Sequence, residues 1–145
     1  MTRISDTLLQ NGRATEWQNS IIILIFALTL ALPGDTLSTS IAFAAFRQLG
    51  MDEVALAVPL TIIAIMRMAG LFINGNWRRS PVLRCVGAVL GAGLFMGLAV
   101  LFAVPALSGQ SAALTTGAGV YLALAAFDVL AAYRSAADAS FYKQH

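Results

Sequence analysis

Four stretches of this chain run for about twenty residues with at most one charge each, the length an α-helix needs to cross the hydrocarbon core of a bilayer. They are residues 17–34, 54–73, 85–104 and 114–133, where only Arg67 and Asp128 interrupt the apolar runs. Inside a bilayer each backbone amide and carbonyl must find its partner within the segment or in a closed barrel. Uninterrupted runs of this length therefore predict helices. A water-soluble domain would carry about a quarter charged residues. This chain is 59% hydrophobic and 11% charged, too much apolar surface for one soluble core of 145 residues. The expected fold is all-α and polytopic: one transmembrane domain over 1–145, with four spans and polar tails at 1–16 and 134–145. Arg3, Asp6, Arg13 and Glu16 precede any sustained apolar run, which reads as a retained polar tail and not a secretory signal.

The connections differ in kind. After Pro33 and Gly34, Asp35 stands where a helix N-cap belongs and Gly50 where a helix would stop. Leu37, Ile41, Ala45 and Leu49 recur at helical spacing between them. The pattern predicts a short amphipathic helix at the membrane surface, with an ordinary loop as the alternative. The second connection, "INGNWRRSPVLR", ends one helix at Asn74-Gly75 and starts the next at Ser80-Pro81.

Basic residues set the orientation. Arg3, Arg13, Arg78, Arg79, Arg84, Arg134 and Lys143 share one side of a four-span topology, against Arg47 alone on the other. The positive-inside rule then puts both termini in the cytoplasm of a bacterial inner membrane. Trp17, Trp77 and Tyr133 fall at the same interface as anchoring aromatics. In this reading Arg78, Arg79 and Arg84 hold the hairpin at the surface and meet anionic lipid headgroups.

Arg67 and Asp128 are the costly residues, since a charge in mid-span is disfavoured by roughly 2.5–3.5 kcal/mol. At about 1.5 Å per residue, Arg67 lies about 10 Å in from Asn74 and Asp128 about 9 Å in from Arg134. Equal depth permits an ion pair between the second and fourth spans. Ala64 and Gly70 flank Arg67, while Ala125, Ala131 and Ala132 share the face of Asp128, so another helix can come close to both. The pair could serve proton, ion or ligand passage. It could equally fix helix order, or Arg67 could snorkel alone.

The third span carries Gly87-x-x-x-Gly91 and Gly93-x-x-x-Gly97. At about 100° per residue, Gly91 and Gly93 point to nearly opposite sides, so the helix is grooved on two faces. Either groove could take a neighbour of the same chain or a second protomer. Asp35 could cap a helix or mark a pore mouth.

Other chemistry is scarce. The net charge of +2 gives no nucleic-acid footprint. Cys85 is the single cysteine and His145 the single histidine, leaving no cluster for a metal and no cofactor motif. No Ser-His-Asp set, paired intramembrane aspartates, HExxH or phosphate-binding loop is present, which argues against an enzyme. The expected partners are the bilayer with its anionic lipids, and either further copies of the chain or a larger membrane complex.

At "LPGDTLSTSIAFAAF" and "RMAGLFINGNWRRSPVLR" the chain resembles small polytopic membrane proteins of tailed phages and prophages. The matching positions are Pro33, Gly34, Asp35, Thr36, Arg67, Asn74, Gly75, Trp77, Arg78, Arg79, Pro81 and Arg84, across the middle half of the chain. Some such proteins are holin-like, so the resemblance implies a phage setting and assembly in the membrane. The chain departs from many holins in having no second methionine before Met51 and in its four spans. Holin-like permeabilisation leads; an accessory subunit of a larger complex and a small ion- or proton-coupled transporter are the alternatives.

Overall fold

The computed structural model describes residues 13–76 and 81–141, with side chains over 13–73 and 82–137. Four helices within it are long and apolar enough to cross a membrane: α1 (Arg13–Ala31), α4 (Glu53–Asn76), α5 (Pro81–Leu107) and α6 (Thr116–Phe141). Among the described residues there is no strand. The helices extend beyond the apolar runs. α1 takes in Arg13 and Glu16, and α6 continues through residues expected to form the tail. Charge alone does not end a helix when the charged side chains find partners.

The segment between the first two spans is helical but broken. It forms α2 (Thr36–Thr39), a 3₁₀ turn (Ile41–Phe43) and α3 (Ala44–Gln48). Ser40 interrupts it in extended backbone, with its hydroxyl accepting the Ala42 amide. The predicted stripe is therefore split. Leu37 and Ala45 are buried, while Ile41 and Leu49 are exposed. Gly50, at φ +71°, ends α3, with the Gly50 amide donating to the Arg47 carbonyl and the Met51 amide to that of Phe46. Gly109 ends α5 through the same pair of bonds, to Ala106 and Pro105. Both use the left-handed conformation that glycine adopts without strain.

α1 lies along α4 and α5 along α6, so the bundle consists of two helix pairs with sparser contact between them. Each helix turns one stripe inward. In α1 that stripe is Arg13, Glu16, Asn19, Ser20, Ile23, Ala27 and Leu30, polar in its first half and apolar in its second. In α5 it includes Arg84, Ala88, Gly91, Phe95, Leu98 and Phe102. The outward faces are apolar: Ile25, Leu28, Ile62, Val89, Val100, Leu122 and Phe127 are each about half exposed or more. That surface suits hydrocarbon and not water.

On the side away from α1's start, aromatic rings fasten the two pairs. Phe102 of α5 lies 5.1 Å from Phe43 and 5.3 Å from Phe46, both edge-on, and 5.4 Å from the stacked Tyr121 of α6. Phe26 of α1 reaches Tyr121 at 5.7 Å. Phe43 and Phe46 close this end of the bundle, which is why the broken segment stays against it. Gly117 of α6 packs against the Phe102 ring, at a distance where a Cβ would make ordinary contact with it.

Lipid removes the transfer part of a core mutation's cost but leaves its packing and cavity part. Phe102→Ala is expected to destabilise by about 2 kcal/mol, against nearly nothing for the outward Val100→Ala. Thermal unfolding of the two variants in one detergent checks this.

Candidate functional site: a buried charge network

Two layers of charge lie between the helix pairs on the side where α1 begins and α6 ends. Asp128 of α6 is wholly buried and Arg67 of α4 is 6% exposed. Arg67 Nη1 donates to Asp128 Oδ2 at 2.7 Å and Nη2 to Oδ1 at 2.9 Å. This fork-to-fork geometry is the strongest form of the pair and one that lysine cannot reproduce. Asn19 Nδ2 adds a third bond to Asp128 Oδ1 at 2.8 Å, and Arg67 Nε donates to Ser20 Oγ at 3.2 Å. Three donors from two helices satisfy one carboxylate.

Nearer the start of α1, Arg84 of α5 grips Glu16 through both Nε and Nη2. Both side chains are buried. Ser20 Oγ donates to the Glu16 carbonyl at 2.8 Å, tying the two layers together. Every ion pair here joins one helix pair to the other: α4 to α6 and α1 to α5.

The glycine grooves have separate surroundings. A Cβ on Gly91 would overlap both Arg67 Nη1 and Asp128 Oδ2. Gly91 is therefore the wall against which the ion pair rests, and Gly87 faces the Arg67 Cγ at 3.8 Å. This groove is filled by a side chain of the same protein. On the other face, Gly93 and Gly97 are exposed and meet nothing within 4 Å.

Several residues lie in settings that their sequence context did not suggest. Arg84, expected among lipid headgroups, is buried on Glu16, because α1 begins early enough to present that carboxylate. Asp35 occupies the N-cap position in left-handed backbone at φ 47°, yet its carboxylate makes no cap bond. Glu53 serves instead, accepting from the Leu37 amide at 3.2 Å, and Arg47 donates to the Leu37 and Ser40 carbonyls. Asp35 lies beside a shallow hollow shared with Arg47, Asp52 and Glu53. Trp17 is half-buried, and its indole Nε1 has no partner among the described residues. Trp77, Arg78 and Arg79 lie outside the described residues.

Glu16, Asn19 and Ser20 were not singled out from sequence. Their signal is the spacing Arg13, Glu16, Asn19, Ser20, Ile23, which places them on one helix face. A hydropathy window hides it by starting the span after the last charge. Ser135, two turns beyond Asp128 on the same face, is also buried, with an Oγ that lacks a partner among the described residues.

Compared with protein-family models, curated proteins and solved structures, the chain matches none of them.

Breaking a buried pair from one side strands a charge, at a cost of about 3–5 kcal/mol in soluble proteins. Arg67→Gln and Asp128→Asn should each lower the thermal midpoint strongly, and the double exchange should recover a substantial part of the loss. A double-mutant cycle measured in detergent checks the coupling. Gly91→Ala should destabilise nearly as much as either single exchange, because the new methyl displaces the guanidinium. Gly93→Ala, two residues away, should leave the midpoint unchanged.

Proposed function

We propose that this is a non-enzymatic integral membrane protein that acts by assembling in the plane of the bilayer, with holin-type permeabilisation as its activity. The observation that carries the reading is the open Gly93/Gly97 face of α5. Small residues at i and i+4 let the backbones of two membrane helices approach closely, which supplies packing energy where lipid supplies no hydrophobic drive. Nothing in the described part of the chain covers that stripe. The rest of the outer surface is compatible with self-association, since Glu16, Arg67, Arg84 and Asp128 are neutralised inside each protomer.

The proposed setting is a bacterial inner membrane with both termini in the cytoplasm. Lys and Arg residues govern insertion by their number near the spans and not by net charge. The pairing of Arg84 with Glu16 therefore leaves the orientation argument intact. The phage context rests on the "LPGDT" and "NGNWRRSP" resemblance. Two of its positions, Arg67 and Arg84, are members of the ion pairs, so part of that pattern serves bundle assembly.

Induced expression with a potential-sensitive dye tests the activity. Wild-type chain should collapse the membrane potential, and in-membrane crosslinking should give a ladder of oligomers. Gly93→Leu and Gly97→Leu, introduced into open space, should remove both effects without lowering the thermal midpoint. Cells that hold their potential at high expression of the wild type would sink the permeabilisation reading.

A further inference from the structure

A hole that passes water and ions must be faced by groups that water can hydrate, and the described outward faces of this bundle are largely apolar. Ile25, Ile62, Val89, Leu122 and Phe127 are each about half exposed there, so protomers packed side by side through such faces would enclose apolar walls. The charged groups lie elsewhere. Glu16, Arg67, Arg84 and Asp128 are buried in the seam where the α1–α4 pair meets the α5–α6 pair, and both ion pairs cross it. Contact across this seam is sparser than within either pair. Its two ends also differ. The charged layers lie where α1 begins, and the rings of Phe26, Phe43, Phe102 and Tyr121 close the other end.

We infer, resting on the permeabilisation reading, that the ion-paired protomer is a closed form and that the conducting form is reached by parting the two helix pairs along this seam. The surrounding solvent decides when that can happen. In hydrocarbon, separating Arg67 from Asp128 would leave two bare charges at a heavy cost, so a lone protomer in lipid stays shut. In water the same groups are rehydrated, the desolvation imposed by burial is recovered, and an exposed ion pair contributes little. Opening therefore needs a shared body of water, which neighbours opening around one lumen supply and a single protomer does not. That couples opening to the number of protomers assembled through the Gly93 and Gly97 face. Within each protomer the charged end parts first. The aromatic end, which offers water nothing, forms the narrowest part of the passage. Asn19 and Ser20, bonded to Asp128 and Arg67 in the closed form, then join the charges in facing the lumen. The contacts that order the closed bundle are in this sense autoinhibitory.

Release of a trapped dye from vesicles reconstituted with the full chain tests this. Wild type should release dye above a threshold ratio of protein to lipid and hold it below. A wild type that never releases dye removes the permeabilisation reading, and this inference with it. In a Cys85→Ser background, Asn19→Cys with Leu124→Cys puts one thiol on each side of the seam, where the Asn19 amide reaches the Leu124 carbonyl at 3.5 Å. With the disulfide formed, release should be lost, and reducing the same vesicles should restore it. Release that continues through the closed disulfide would overturn the inference while leaving permeabilisation standing. Should that variant not fold or not bridge, Ser20→Cys in the same background gives a second readout. A charged, water-soluble thiol reagent should modify it in releasing vesicles and leave it unmodified below the threshold. Ile25→Cys, on the lipid side, should stay unmodified in both. No reaction at position 20 while dye escapes would sink the inference by itself.

Discussion

The bidentate contact between Arg67 and Asp128 sets conditions that the rest of the bundle has to meet. A lone charge at that depth costs several kcal/mol, so neither residue can face hydrocarbon alone, and the two must meet at one level. That requirement fixes the register of α4 against α6. It also fixes residues that carry no charge. Gly91 has to be glycine because the guanidinium and the carboxylate occupy the space its side chain would take. Asn19 and Ser20 have to face inward because the pair leaves acceptor and donor capacity that nothing else at that level fills. A buried ion pair is weak evidence for stability, since hydrophobic residues of equal volume often do as well. Its clearer consequence here is specificity: few other arrangements of these four helices would bring Arg67, Asp128 and Gly91 together.

The bundle uses a different fastening at each end. One half is joined by ion pairs that cross between the helix pairs, the other by rings from α1, the broken segment, α5 and α6. Burying apolar surface contributes little in lipid, because the alternative environment is equally apolar. Edge-on and stacked rings contribute through geometry, and charge pairs through the absence of water, so both keep their value in a bilayer. The single stripe of α1 shows the change within one helix, from Glu16 and Asn19 to Ala27 and Leu30.

Much of this was legible in the sequence, because a bilayer imposes few solutions. Run length gave the four spans, and equal depth from the helix ends made Arg67 and Asp128 candidates for a pair. The second pair was not legible in the same way. Glu16 and Arg84 lie at span ends, where hydropathy reads a tail and the charge rule reads a topological anchor. Only the helical spacing of Glu16 with Asn19 and Ile23 carried the information. The surface segment between α1 and α4 was readable as helical but not as broken. Its period was right over each turn, while the hydroxyl of Ser40 competed for the Ala42 amide and reset the phase. Asp35 shows a similar limit: its position at a helix start was readable, but the Leu37 amide is taken by Glu53, sixteen residues beyond Leu37.

Placing the charges inside separates what holds the protomer together from what it can offer to its surroundings. Once Glu16, Arg67, Arg84 and Asp128 have bound one another, two places on the described outward surface of α4 and α5 stand out from the apolar coat. One is the bare backbone at Gly93 and Gly97; the other is a cleft between the two helices at Gly70 and Gly87. Both are places where a side chain is missing, and they lie on different parts of the surface. An approaching helix can use the first because it is shallow and continuous along α5. The charge network runs across the bundle, from Arg67 to α6 and from Arg84 to α1, and so holds the two helix pairs to each other.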